Sequence, residues 1–170
     1  MLTKEQLDFL KGIALAAVAS EAETDVPAEL TTAQAILETG WGRYMPPDSN
    51  NLFGIKDTDR YPGASYAMTT EWIKGSPTKI QAAFEKYPSL QACISDHARL
   101  ISSAGVYAPH YQVYKADRDS RGYLWGIAAH YATDPGYARK VWRIMQMEEL
   151  QREIQLARSL YRSQTSEIRT

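Results

Sequence analysis

Glu38 closes a strong helix-forming run, Ala33-Gln34-Ala35-Ile36-Leu37-Glu38-Thr39, which Gly40 stops and Trp41 and Gly42 follow. That order puts the carboxyl in the last turn of a helix. There the backbone carbonyls present the negative end of the macrodipole, and the neighbouring indole can shield the group from water. Both effects raise a carboxyl pKa, and an acid that keeps its proton near neutrality is what protonation of a glycosidic leaving oxygen requires. Position alone also fits an ordinary charged side chain at a helix end.

Other chemistries find little support. His97, His110 and His130 are scattered, and no His-Glu-x-x-His, Cys-x-x-Cys or EF-hand spacing occurs, so neither a metal nor a cofactor is expected. Signatures of a serine or cysteine nucleophile and of a phosphate-binding glycine loop are missing. Cys93 is alone and falls on the apolar stripe of an expected helix, as a small core residue does. Carboxylate chemistry remains. Partners for Glu38 could come from Asp48, Asp57, Asp59, Glu71, Glu85, Asp96 or Asp134. Asp134 reads better as a helix cap and Asp96 as a helix-surface charge. Glu85 alternates with Phe84, so it faces out if Phe84 faces in. Glu71, beside Trp72, is the best placed to approach a groove from its far side, with an exposed strand charge as the equal alternative.

The elements that must position these groups follow from periodicity. Thr3 with Gln6 makes a capping box for a helix from about Lys4 to Glu21, and Pro27 opens a second, about Ala28 to Thr39, which carries Glu38. Residues 40–63 are rich in Gly, Pro, Asn and Asp, and they carry Trp41, Tyr44, Phe53 and Tyr61, as a functional loop does. Ser65–Ile73 and Thr78–Tyr87 read as a β-hairpin with its tip at Gly75. A helix then starts at Pro88-Ser89 and ends near Gly105, with His97 on its inner stripe, where a hydrogen-bonded core histidine is expected. Val106–Tyr114 reads as irregular, Arg121–His130 as a short helix, and a final helix opens at Asp134-Pro135 and runs toward Leu160. The whole is an α+β domain over 1–160, mainly helical with a β-lobe at about 64–87, followed by a frayed tail at 161–170.

Composition narrows the partners. A formal charge of -1 over 170 residues, with no Lys/Arg run, argues against nucleic acid. No apolar run approaches the roughly 18 residues of a membrane span, and the N-terminus lacks the layout of a secretory signal.

The motifs AQAILETGWG, NLFGIK, TTEW, Phe84-x-x-Tyr87-x-Ser89 with Asp96-His97 after it, and YATDPGYARK stand in this order between about Phe9 and Met147. Together they resemble the glucosaminidase domain of glycoside hydrolase family 73, the lysozyme-like enzymes that cut peptidoglycan. The resemblance implies a helical lobe and a β-lobe across a groove, with hydrolysis of the N-acetylglucosaminyl-β-1,4-N-acetylmuramic acid bond in glycan strands. It makes Glu38 the acid, Glu71 the group that positions or deprotonates water, and Tyr131 a neighbour of the reacting sugar and its acetamido group. Asn51 and Phe53 line the groove with Trp72, and Trp41 packs under it. A Glu38–Glu71 separation of roughly 6.5–9.5 Å or more admits water and inverts configuration. With Glu71 remote, the substrate's acetamido oxygen can attack while Tyr131 steadies the developing charge. Thr39 departs from the small residue, often Ser, that follows the acid in the family. A wall-acting monomer without an export signal fits delivery by a phage particle, release through a holin, or a removed leader. The alternatives are a lytic transglycosylase or muramidase on the same glycan, and a non-catalytic glycan-binding or tail-assembly module.

Overall fold

A computed structural model describes residues 1–167, apart from the side chain of Trp72. Its described elements run α1 (Lys4–Thr24), α2 (Ala28–Thr39), β1 (Ala64–Ile73), β2 (Ser76–Glu85), α3 (Leu90–Ser103), α4 (Ala108–Asp117), α5 (Ser120–Tyr131), α6 (Tyr137–Met145) and α7 (Glu148–Glu167). The chain is thus α+β, mainly helical with one small sheet, as the element pattern implies.

The helical body is built around α2. From Ala28 to Ile36 only Glu29 escapes full burial, so this helix is covered on nearly all sides. Its alanines and threonines let α1 and α6 pack closely on it, with α7 touching it as well. Helix α1 starts at the capping box, where Thr3 Oγ1 accepts from the Gln6 N–H at 3.3 Å and the Gln6 side chain accepts from the Thr3 N–H at 2.9 Å. Leu10, Ile13, Ala14, Ala17 and Val18 face inward from it. Helix α7 returns along α1, and the Arg158 guanidinium fastens it to Glu21 of α1 and Glu29 of α2.

Just past α2, Gly40, Trp41 and Gly42 all have positive φ, and a Cβ on Gly42 would stand 2.7 Å from the Phe9 ring. Thr39 pins this turn, its hydroxyl donating to the Ala35 carbonyl at 2.7 Å and accepting from the Gly42 N–H at 2.8 Å. The departure at Thr39 therefore preserves a hydroxyl that the turn uses.

The hairpin's turn is Lys74-Gly75, both at positive φ, a two-residue type I′ connection that the Lys-Gly-Ser-Pro sequence had suggested was longer. Among the hairpin's described side chains only those at its base are buried, Ser65, Phe84 and Glu85, while Tyr66 and Met68 are 62% and 64% exposed. Glu85 points inward, contrary to the strict alternation expected. The segment 58–61 folds over the strand end and satisfies its carboxylate with the Thr58 N–H at 3.1 Å, the Thr58 hydroxyl at 2.7 Å and the Tyr61 N–H at 3.2 Å.

Three further expectations are corrected. Residues 108–117 are helical: Pro109 suits the first turn, and the helix buries only Tyr114, too thin a stripe to register as periodicity. The last helix is two, separated at Gln146-Met147 with neither Gly nor Pro to mark the break, and Gln151 Nε2 donates to the Met145 carbonyl at 2.6 Å. Residues 161–167, read as a frayed tail, continue α7, and 168–170 lie outside the described residues.

Candidate active site

Between the end of α2, the loop at 53–55, α3 and the α5–α6 junction lies a cleft of about 580 Å³. Glu38 sits in its wall with Phe53, Ile55, Leu100, Tyr107, Tyr131, Tyr137 and Lys140. The carboxyl opens into the cleft and not onto a convex face. Its surroundings strip enough water to raise its pKa above the usual carboxylate range, and the nearby Tyr137 hydroxyl opposes that shift. Desolvation is the larger effect, so the net shift is upward.

Tyr131 ends α5 and Tyr137 begins α6, and the intervening loop stacks their rings at 5.4 Å between centroids. Asp134 shapes that loop: its carboxylate accepts from the Gly136 N–H at 2.7 Å and pairs with Lys140 at 2.6 Å, which holds it below the usual range. It therefore acts on the turn before α6, while Gly136 occupies the cap position itself. Burial pushes the Tyr131 phenol well above its ordinary pKa, so it enters any chemistry as a neutral hydroxyl.

Behind this pair, His97 is fully buried, stacked on Phe53 at 3.7 Å and edge-on to Tyr131 at 5.8 Å. Desolvation drops its pKa to about 3, so the ring is neutral. Neither nitrogen has a hydrogen-bond partner, which corrects the expectation of a hydrogen-bonded core histidine: aromatic packing holds it instead. Asp96, expected on the surface, is tied to Arg60 and accepts from the Tyr87 hydroxyl at 2.6 Å.

The remaining sequence candidates fall elsewhere. Asn51 is fully buried and presents nothing to the cleft. Its amide donates to the Ile55 and Glu85 carbonyls at 2.8 and 3.0 Å, and its oxygen accepts from the Ile55 N–H at 3.0 Å. It thus braces the loop that presents Phe53. Trp41 is half-buried against the helical core and is not among the cleft's lining residues. Glu71 is half-exposed on β1 and paired with Lys56 at 3.0 Å, and it too is outside the lining. The Trp72 side chain lies outside the described residues. Sequence reasoning missed Tyr137 and Gln34, although both stand inside quoted motifs: Gln34 Nε2 donates to the Tyr137 oxygen at 3.0 Å across 103 residues of chain. Among the described residues no group of three or more His, Cys, Asp or Glu side chains could hold a metal ion.

A helical body with a hairpin lobe, and one desolvated carboxyl in an aromatic cleft, defines a lysozyme-like glycoside hydrolase. Residues 14–150 match the glucosaminidase family described as mannosyl-glycoprotein endo-beta-N-acetylglucosaminidase, and the chain belongs to that family. It is 35% identical over 151 residues to the peptidoglycan hydrolase FlgJ of Salmonella typhimurium, covering 85% of this chain and 47% of the relative. It is also 35% identical over 127 residues to the exo-glucosaminidase LytG of Bacillus subtilis, covering 71% of this chain and 44% of LytG. The chain thus spans about half or less of these relatives' length. Among solved structures it resembles a glycoside hydrolase domain of Salmonella typhimurium FlgJ, with a TM-score of 0.65, 32% identity, and 83% and 95% of the two chains covered. A peptidoglycan hydrolase mutant from Sphingomonas sp. A1 gives 0.70 at 29% identity, covering 88% and 98%.

Proposed function

We propose that this chain hydrolyses the β-1,4 bond between N-acetylglucosamine and N-acetylmuramic acid in peptidoglycan strands, acting on the bacterial wall as a monomer whose cleft is assembled from one chain. The observation that carries this reading is Glu38, raised in pKa by desolvation and facing an aromatic-walled cleft. Glu38 protonates the bridging oxygen, and the C–O bond to the anomeric carbon breaks as that proton arrives. Of the two routes to the new bond, attack by the substrate's acetamido oxygen fits better. Glu71 pairs with Lys56 at the surface and is not among the lining residues, whereas Tyr131 lines the cleft with a neutral hydroxyl. Water then attacks the anomeric carbon, releasing the acetamido oxygen and giving its proton to the Glu38 carboxylate. Phe53, buried and stacked on His97, adds apolar surface to the cleft wall. No helix among the described residues is long and apolar enough to cross a membrane.

Digestion of purified peptidoglycan, followed by mass spectrometry of the ends, tests the assignment. Reducing N-acetylglucosamine ends are expected from the parent, and none from Glu38→Gln with its fold intact. Reducing muramic ends would make the chain a muramidase, anhydro-muramyl ends a transglycosylase, and strand binding without cleavage a recognition module. Any of these refutes the reading.

A further inference from the structure

We propose that Gln34 and Tyr137 form a relay behind Glu38, in which the buried amide aims the phenol so that its one proton goes to the Glu38 carboxyl. This rests on Glu38 being the acid. Gln34 and Glu38 stand four residues apart on α2 and so share a face, and both meet Tyr137 at the first residue of α6. The amide is fully buried and Tyr137 is 4% exposed, so water does not compete for the bond between them, while Glu38 itself is exposed to the cleft. Because Gln34 Nε2 donates to the phenol oxygen at 3.0 Å, the hydroxyl hydrogen is left for another acceptor. Glu38, one helical turn along α2 from Gln34 and lining the same cleft as Tyr137, is the acceptor the relay assigns to it. Burial and the nearby carboxylate keep the phenol protonated throughout the working range.

The consequence is selective for the reaction. While Glu38 holds its proton, the bond from Tyr137 is made to a neutral acid. As the proton leaves for the glycosidic oxygen, the bond becomes one to a carboxylate and strengthens. The relay therefore stabilises the conjugate base as it forms and limits how far desolvation lifts the pKa of Glu38. Gln34 is a positioning residue, acting through Tyr137. Its own Oε1 has no partner within the protein, so the amide is fixed by the one bond to the phenol. The other groups facing Glu38 are Lys140 from α6, Tyr131 from α5, Asp134 from the loop between them, and Tyr107 ahead of α4. All remain in place when the relay is cut.

The test compares the parent chain with Tyr137→Phe and Gln34→Met. The Glu38 pKa is followed by carboxyl ¹³C NMR, assigned by its loss in Glu38→Gln, alongside pH profiles of turnover on peptidoglycan. In Tyr137→Phe the Glu38 pKa and the alkaline limb should rise by about one unit, with kcat down about 10- to 100-fold and KM unchanged. Gln34→Met should move both in the same direction by less. A folded Tyr137→Phe chain whose Glu38 titrates as in the parent overturns the relay, as does a downward shift in Gln34→Met, which would mean that the amide oxygen faces the phenol. If Gln34→Met does not fold, Tyr137→Phe decides alone. If the parent cuts no glycan, the glycosidase reading falls, while the NMR titration still decides the relay.

Discussion

Replacing Arg158 with Met should lower stability sharply without touching the cleft. The guanidinium makes four bonds that join three helices: to the Glu21 oxygens at 2.7 and 2.9 Å, and to the Glu29 oxygens at 2.7 and 2.9 Å. Breaking a buried ion pair from one side costs about 3–5 kcal/mol, because the orphaned charge stays behind. Here the side chains are 24%, 25% and 15% exposed, so water reaches the freed carboxylates in part. Glu21 also keeps its bond from the Ala28 N–H at 3.0 Å. Discounted for that access, the loss is about 2–3 kcal/mol, since Met preserves the aliphatic packing of the arginine stem. For a chain of this size that is a fall in Tm of about 4–12 °C. Calorimetry at pH 7 reads it directly. Adding Glu21→Gln and Glu29→Gln should recover part of the loss, because no charge is then left without a partner. An Arg158→Met protein melting within about 1 °C of the parent would refute the reasoning.

Four further outcomes follow from the structure. With its pKa raised, Glu38 loses its proton at higher pH than an ordinary glutamate, so turnover should persist above the usual carboxylate range and fall as pH rises through the shifted value, read from a pH–rate profile. The same shift makes the ionised form a burden on the fold, so Glu38→Gln should melt above the parent at pH 7, with the gain vanishing below the unfolded carboxyl pKa; an equal gain at pH 3 would contradict this. Cys93, whose Sγ accepts from the Leu52 N–H at 3.3 Å and whose thiol burial pushes up to about 12, should resist a thiol reagent at pH 8 until the chain unfolds, as absorbance on labelling reports. Gly42→Ala should cost about 1–3 kcal/mol in denaturant unfolding, since it combines a left-handed φ with a 2.7 Å approach to Phe9.

What was legible in the sequence was what local chemistry determines. Helix α2 starts and stops where Pro27 and Gly40 say it should, and Thr3 and Ser89 cap as their types imply. Glu38 could be placed because its helix end is a local signal. The parts that were not legible depend on distant partners. Glu85 breaks alternation because loop residues 58–61 come back to satisfy it. His97 is buried without hydrogen bonds because two aromatic rings enclose it. The Gln34–Tyr137 bond spans the chain, so neither residue announces its role from its own surroundings. Asn51 was expected from its motif to line the groove, yet its capacity to bond is spent inside the loop.

The hairpin is long for its foothold. Strands of 10 residues extend ~33 Å, while burial is confined to the first pair or two. Such an arm is a lever: a rotation of about 10° at the foot would carry its tip through ~6 Å over that ~33 Å reach. Glu71 rides well out along it, opposite Thr78, with a surface ion pair as its nearest tether. The geometry around the acid is thus set by the rigid body, whereas anything the arm contributes to a bound strand varies with the angle at which it leans.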